Sequence, residues 1–285
     1  MTYETIISVQ DLIPNLFHPD WCVIDCRTVL EEPGLGFEFY CQSHIPGALY
    51  ADLERDLCGQ PNPGKTSRHP FPDPDIFAQK LSAWGVDKNV QVVVYDDADG
   101  GYAVRLWRML GWMGHRAVAL LDGGLNIWEK KGLALETGEN KRPKCNFIAD
   151  LNPHLLISSP EVSQIMDDPA FLLLDARSSQ SYSGEKDPNS PTCGHIPGAI
   201  HFQYTQNLDR EGLLLPIPTL IQRYKDLLNG KQAVVYCTSG VTASLNVLAI
   251  QHAGLDTARL FAGSWDEWIS DSTRPVEKSY SNFGD

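Results

Sequence analysis

Short runs of apolar residues without polar alternation recur along the chain. They are rich in valine, isoleucine and leucine and cover residues 21–24, 90–95, 117–121, 171–174, 233–236 and 258–261. Because a strand buried on both faces shows such a continuous apolar run, each run predicts an interior strand of a parallel sheet. Amphipathic segments that predict helices lie between them, at residues 76–84, 102–113, 219–228 and 242–253. This alternation predicts an α/β fold with helices on both faces of the sheet.

The order of these patterns repeats. CVIDCR at residues 22–27 corresponds to LLLDAR at residues 172–177, and the motif HIPGA occurs once in each half. VVVYDDADGG matches AVVYCTSGVT, and LLDGGLNIW matches LFAGSWDEW. The spacing between matched segments falls from about 150 to about 140 residues, as expected for two copies of one domain that differ by an insertion. We therefore predict two homologous domains, at residues 1–137 and 154–285, with a polar linker at residues 138–153.

Composition narrows the classes of function. The chain has 285 residues, of which 42% are hydrophobic and 21% charged, as is usual for a globular protein. Its net charge of −13 disfavours nucleic acid or an anionic membrane as a partner, because both would be repelled. No apolar stretch is long enough to span a membrane, and the beginning, MTYETIISVQDL, lacks the basic and apolar regions of a signal peptide. We expect a cytoplasmic protein.

The seven cysteines are scattered and include no C-x-x-C pair, so the sequence predicts neither a disulfide framework nor a metal site. Cys237 differs from the other six in its surroundings. It ends a predicted buried strand, and the helix that follows is predicted to begin at Val241 or Thr242. A thiol in this position faces backbone N–H groups at the positive end of a helix, which favours the thiolate. Cys237 is therefore the candidate nucleophile, in a cradle formed by Thr238, Ser239, Gly240, Val241 and Thr242.

The first copy has Asp96 where the second has Cys237. A carboxylate cannot carry a transferable sulfur atom, so we expect one active site in each chain, in the second domain. The first domain would then support the fold and line one side of a cleft, with Tyr102 and Arg105 at the substrate. A cysteine phosphatase is disfavoured, because the arginine that clamps phosphate six residues after the nucleophile is replaced here by Ala243.

Taken together, these motifs resemble the rhodanese family of sulfurtransferases in its two-domain form, over nearly the whole chain. The resemblance rests on the two D-x-R strand ends, both HIPGA motifs, RHPFP at residues 68–72 and CTSGVTA at residues 237–243. It implies two rhodanese-like domains, each a parallel sheet with helices on both faces. It also implies a double displacement that needs no cofactor. A small donor leaves a sulfane sulfur on Cys237 as a persulfide, and a small thiol, a thioredoxin-like protein or cyanide removes it.

The resemblance also bears on the donor and on the residues that assist. The form C-G-S-G-V-T-A marks 3-mercaptopyruvate sulfurtransferases, whereas the thiosulfate enzymes of the family usually have charged residues directly after the cysteine. The loop here is similar to the first form with Thr238 in place of glycine, so 3-mercaptopyruvate is favoured and thiosulfate is the alternative donor. By position, Ser239 would work with His69 and Glu54 in a proton relay, and Trp265 would line the mouth of the site.

One position departs from the family. An arginine that binds the carboxylate or sulfonate of the substrate usually lies four residues after the D-A-R arginine, where this chain has Ser181. Lys186 is the cation of that loop that would replace it, as a point charge without two-pronged geometry. A weakened site for small donors keeps a second hypothesis open, in which the protein is a persulfide relay or binding module that a protein partner loads.

Overall fold

The structure, a computed structural model, describes residues 2–185, 190–255 and 258–279. Backbone contacts divide them into two compact units. Each unit contains one five-stranded parallel sheet together with helices, which confirms the predicted α/β class. No helix in these three stretches is long and apolar enough to cross a membrane.

Neither unit is one continuous stretch of chain. The first comprises the chain up to Gly59, Phe71–Asn152 and Leu208–Leu214, and the second comprises Gln60–Pro70, Pro153–Asn207 and the chain from Leu215 onward. The segment Gln60–Pro70, which carries His69, therefore belongs to the unit that contains Cys237. The domain boundaries read from the repeat stay a prediction.

The first unit contains strands β1 to β5 and helices α1 to α6. The strands are β1 (Ile6–Ile7), β2 (Trp21–Asp25), β3 (Leu49–Tyr50), β4 (Gln91–Tyr95) and β5 (Val118–Leu121). The helices are α1 (Val9–Leu12), α2 (Leu35–Gln42), α3 (Leu53–Asp56), α4 (Pro74–Ala83), α5 (Ala103–Trp112) and α6 (Gly124–Lys130). The strand order is β1-β5-β4-β2-β3, with every neighbouring pair parallel.

The second unit repeats this arrangement. Its strands are β6 (Leu156–Ile157), β7 (Phe171–Asp175), β8 (Ile200–His201), β9 (Gln232–Tyr236) and β10 (Arg259–Phe261). Its helices are α7 (Ser159–Ile165), α8 (Ser179–Ser183), α9 (Ile217–Leu228), α10 (Ser244–His252) and α11 (Ser264–Ser270). The strand order, β6-β10-β9-β7-β8, is that of the first sheet in every position.

The central strand of each sheet, β4 or β9, leads directly to Asp96 in the first unit and to Cys237 in the second. All five residues of β4 are buried, and so are the last four of β9. Their continuous apolar sequence is explained by this position, because helices and neighbouring strands leave no face in water. The residues that follow these strands, Asp96 and Cys237, lie at the carboxyl edge of their sheets, where ligands bind in parallel α/β proteins.

Each unit also contains a buried ion pair made by its D-x-R motif. Arg27 Nη2 lies 2.7 Å from Asp25 Oδ2, and Arg177 Nη2 lies 2.6 Å from Asp175 Oδ2. The Arg177 guanidinium also donates to the carbonyl oxygen of Gly194 at 2.6 Å. The Arg177 pair therefore joins the end of β7 to the loop that precedes β8, and the geometry gives this arginine a structural role.

The helix after the cysteine loop begins later than the sequence predicted. It starts at Ser244 rather than at Val241 or Thr242. The carbonyl oxygens of Val241 and Thr242 accept hydrogen bonds from the N–H groups of Ser244 and Leu245, at 3.3 and 3.0 Å. These bonds span three residues, so the chain makes a tight turn before the α-helical pattern begins.

Candidate active site

The backbone around Cys237 is held by the beginning of α11. Its N–H donates to Ser264 Oγ at 3.1 Å, and its carbonyl oxygen accepts from the N–H of Trp265 at 3.0 Å. The carbonyl oxygen of Thr238 accepts from the N–H of Asp266 at 2.9 Å. Because these carbonyl groups are bonded to α11, the cysteine loop is fixed from one side.

The sulfur atom of Cys237 accepts a backbone hydrogen bond from its own loop. The N–H of Gly240 donates to Sγ at 3.2 Å, and the residue is only 2% exposed. Gly240 has a φ of +79°, and a Cβ atom there would lie 2.1 Å from the carbonyl oxygen of Ala262. Glycine is therefore required for the N–H to reach the sulfur, for both conformational and steric reasons.

We expect the Gly240→Ala variant to lose about 1–3 kcal/mol of stability from the left-handed backbone alone, and more from the contact with Ala262. Sulfur loading of Cys237 should slow with it, because the N–H that bonds Sγ must move. Gly254→Ala is the matched control, since Gly254 also has a positive φ of +68° but has no atom within 4 Å of the added Cβ. Equal losses in denaturant midpoint for the two variants would show that the contact with Ala262 has no effect.

The corresponding loop of the first unit shows how an anion is held in this frame. The carboxylate of Asp96 accepts four backbone N–H bonds, each 2.8 Å long, from Ala98, Gly100, Tyr102 and Ala103. Burial raises the pKa of Asp96, and the four N–H groups act in the opposite direction. A loop of this kind therefore presents several amide donors to one negatively charged group at the strand end.

His69 reaches the cysteine loop from the segment Gln60–Pro70. Its Nδ1 lies 2.8 Å from Ser239 Oγ, and both residues are only 6% exposed. The neighbouring Arg68 forms an ion pair with Asp266, at 2.7 Å between Nε and Oδ2. The structure thus brings His69 and Ser239 together within the second unit, beside Cys237.

Sequence reasoning quoted three residues of the second unit within motifs but gave them no role: Arg68, Ser264 and Asp266. Ser264 could have been found from the repeat, because it stands where the first copy has Gly124. In the structure both residues adopt a positive φ, of 53° and 54°. Arg68 and Asp266 are far apart in sequence and carry no joint signal in either copy.

The predicted site residues of the first unit, Glu54, Tyr102 and Arg105, differ in their exposure. Glu54 is exposed in α3, where its N–H donates to the Asp52 side chain at 3.0 Å. Its assignment to a relay stays a prediction. Tyr102 is half-buried at the beginning of α5. Arg105, expected at a cleft, is fully buried, and its guanidinium packs 4.1 Å from the Phe71 ring centre.

Trp265 does not line an open mouth, contrary to the expectation. It is fully buried, and its indole N–H donates to the carbonyl oxygen of Thr192 at 3.0 Å. The Arg177 guanidinium stacks 4.4 Å from the centre of its ring. Trp265 therefore covers the buried ion pair of the second unit rather than presenting a surface to substrate.

The remaining predicted site residues of the second unit differ in their burial. Thr238 and Thr242 are half-buried and Val241 is buried in the cysteine loop. Lys186 lies outside the described residues. Ser181, at the position of the family's arginine, is buried in α8, and its Oγ lies 3.1 Å from that of Ser178.

Three other thiols of the chain, those of Cys22, Cys26 and Cys58, have raised pKa values. Burial raises the pKa of Cys22 to about 12 and that of Cys58 to about 11. For Cys26, burial and then the charge of Asp25 raise the pKa well above its usual value. These three thiols are protonated at neutral pH and are poor nucleophiles. Within the described stretches, no group of three or more histidine, cysteine, aspartate or glutamate residues is placed to hold a metal ion.

Comparison with known proteins agrees with this geometry. A family model described as the rhodanese-like domain matches residues 8–131 and 158–271. The chain is 45% identical over 280 residues to a probable 3-mercaptopyruvate sulfurtransferase of Pseudomonas aeruginosa, covering 97% of this chain and 99% of that protein. It is 32% identical over 284 residues to the 3-mercaptopyruvate sulfurtransferase of Escherichia coli K12, covering 97% and 99%. The solved 3-mercaptopyruvate sulfurtransferase of Leishmania major superposes with a TM-score of 0.81 at 27% identity, covering 93% of this chain and 74% of that one.

Proposed function

This chain belongs to the rhodanese family, and from that premise we propose that it is a sulfurtransferase that carries the transferred sulfur on Cys237. The observation that carries the proposal is the hydrogen bond from the Gly240 N–H to Cys237 Sγ, 3.2 Å long, directly after the central strand β9. A backbone donor directed at sulfur stabilises negative charge on it, as a nucleophilic thiolate requires. The sulfurtransferases to which the chain is similar support the same class of reaction.

In the first half-reaction, the thiolate of Cys237 attacks the sulfur atom of the donor. An S–S bond forms, and the C–S bond of 3-mercaptopyruvate breaks with its electron pair left on carbon, as the enolate of pyruvate. The enolate takes up the proton that the donor thiol gives up. Pyruvate leaves, and Cys237 holds a persulfide whose outer sulfur accepts hydrogen bonds from the loop.

We assign the movement of this proton to Ser239 and His69. Their contact of 2.8 Å between Oγ and Nδ1 supports the assignment, because a hydroxyl bonded to an imidazole can receive a proton on one side and give one on the other. The half-buried Thr238 and Thr242 and the buried Val241 complete the cradle around the sulfur. Glu54 as the acid of this relay stays a prediction.

We propose 3-mercaptopyruvate as the preferred donor and thiosulfate as the alternative. The 45% identity to a probable 3-mercaptopyruvate sulfurtransferase supports this order. So does the loop itself, since Thr238, Ser239, Gly240, Val241 and Thr242 carry no charge that would attract the dianion thiosulfate.

In the second half-reaction, an acceptor removes the sulfur. The thiolate of a small thiol or of a thioredoxin-like protein, or cyanide, attacks the outer sulfur atom, and the S–S bond to Cys237 breaks with its electron pair returning to Sγ. We propose the cytoplasm as the compartment, because all seven cysteines of the chain are free thiols, as is usual in a reducing environment.

The proposal is tested by incubating the protein separately with 3-mercaptopyruvate and with thiosulfate, recording the intact mass, and locating any added sulfur by peptide mapping. We expect one sulfur on the Cys237 peptide, added faster by 3-mercaptopyruvate and removed again by cyanide or a thiol. Cys193, a half-buried cysteine of the same unit, serves as the internal control and should stay unmodified. Absence of added sulfur with both donors would contradict the small-molecule reaction.

A persulfide relay is the second candidate, and one observation favours it. Ser181 is buried and bonded within α8, so the position of the family's substrate arginine offers no cation. In a relay, the outer sulfur of a partner protein's persulfide would pass directly to Cys237. Loading of Cys237 by a protein persulfide, together with no loading by either small donor, would select this function.

A further inference from the structure

The ion pair between Arg68 and Asp266 has the geometry of a specific contact. Arg68 Nε lies 2.7 Å from Asp266 Oδ2, and Nη2 lies 3.0 Å from Oδ1, so the guanidinium donates a hydrogen bond to each carboxylate oxygen. The backbone N–H of Arg68 adds a third contact to Oδ2 at 3.3 Å. The Asp266 side chain is only 11% exposed, whereas that of Arg68 is 43% exposed, so solvent and salt screen the pair in part.

The same two residues are joined to both halves of the candidate site. Arg68 directly precedes His69, whose Nδ1 lies 2.8 Å from Ser239 Oγ. The N–H of Asp266 donates to the carbonyl oxygen of Thr238, between Cys237 and Ser239, at 2.9 Å. The segment around His69 and the loop around Cys237 are therefore both attached to Asp266, one through its carboxylate and the other through its backbone.

We propose that Arg68 and Asp266 are positioning residues, which hold the imidazole of His69 on Ser239 beside the reacting sulfur. The inference rests on the proposed sulfur transfer for its effect on rate. His69 lies in a segment without helix or strand, so backbone hydrogen bonds of regular structure do not fix it. A two-pronged ion pair at the adjacent residue keeps the His69 imidazole next to the Ser239 hydroxyl. Proton transfer depends on the distance between the two groups being kept within a fraction of an ångström.

The pair is tested first by NMR, with a readout that does not depend on turnover. Imidazole ¹⁵N signals of His69 are recorded in the full-length protein with and without the Ser239→Ala change. We expect that change to shift the His69 signals in the wild-type background. The shift should be lost, or reduced severalfold, in the Arg68→Gln and Asp266→Asn backgrounds, because the His69 imidazole would no longer be hydrogen-bonded to the Ser239 hydroxyl. Arg68→Lys keeps the charge without the two-pronged grip and should retain part of the response.

Kinetics then show whether the positioning matters for sulfur transfer. Arg68→Gln and Asp266→Asn are expected to lower kcat by about tenfold or more with a smaller change in KM, since the ring acts on the reaction rather than on donor binding. Arg259→Gln is the matched control. It removes another arginine ion pair of the same unit, 3.1 Å to Glu161, and should leave kcat unchanged.

The outcomes separate the two proposals. A His69 response to Ser239→Ala that is as large in Arg68→Gln and Asp266→Asn as in the wild type would overturn the positioning role. A wild-type protein that loads no sulfur would refute the proposed function, while the NMR result would still decide whether the pair holds His69. Restoration of the response in the charge-exchanged double variant Arg68→Asp/Asp266→Arg would support the ion pair itself as the cause.

Discussion

The Cys237→Ser variant is expected to take up no sulfur from any donor and to lose sulfur transfer by at least about 10³-fold. A serine alcohol does not ionise near neutral pH, and an oxygen at this position cannot form the S–S bond of a persulfide. The fold should persist, because the two side chains are of similar size. The backbone bonds of residue 237, to Ser264 Oγ and from the Trp265 N–H, do not involve the sulfur.

The variant is compared with the wild type by intact mass after incubation with each donor, and by the rate of pyruvate release from 3-mercaptopyruvate. Cys193→Ser is the control, since it removes a half-buried thiol from the same unit and should keep full activity. Pyruvate release by Cys237→Ser at a rate near that of the wild type would rule out Cys237 as the sulfur carrier.

The Asp175→Ala variant is expected to destabilise the second unit by about 3–5 kcal/mol, the largest effect on stability that we predict. Asp175 is fully buried and holds the guanidinium of Arg177 at 2.6 Å. Removing the carboxylate leaves a positive charge in the interior without its counter-charge. The destabilisation should extend to the cysteine loop. Arg177 stacks on Trp265, whose backbone N–H donates to the carbonyl oxygen of Cys237.

This prediction is measured by urea denaturation followed by circular dichroism. Because a chain of two units can unfold in two steps, the reaction of Cys22, a buried thiol of the first unit, with a thiol reagent identifies the transition of that unit, and the other transition belongs to the second. Glu4→Ala provides the control. Glu4 forms an exposed ion pair with Arg116 at 2.9 Å, whose loss should cost no more than about 1 kcal/mol. A change as small for Asp175→Ala would mean that the buried pair contributes little to stability.

The sequence by itself was sufficient for the architecture. Strands such as β4 and β9 could be recognised because burial on both faces demands a continuous apolar run, and this demand is local. The repeat predicted two sheets, and the sheets have the same strand order. Cys237 could be identified as the candidate for the same reason, since the transition from strand to glycine-containing loop to helix lies within a few adjacent residues.

The sequence located the start of α10 two or three residues too early, because amphipathic periodicity does not distinguish a tight turn from the first turn of a helix. It also assigned Arg105 and Trp265 to a substrate surface, although both are fully buried. Residue type indicates what a side chain can do, whereas its exposure depends on what packs over it.

Only the tertiary structure decided which residues surround the cysteine loop. The segment Gln60–Pro70 lies between two stretches of the first unit in sequence but belongs to the second, and it brings His69 to Ser239 across 170 positions of the chain. Arg68 and Asp266 are 198 positions apart. Periodicity and motif spacing report on neighbours in sequence, so contacts over such separations are fixed only when the chain packs, by the burial and the charge pairing that the folded arrangement permits.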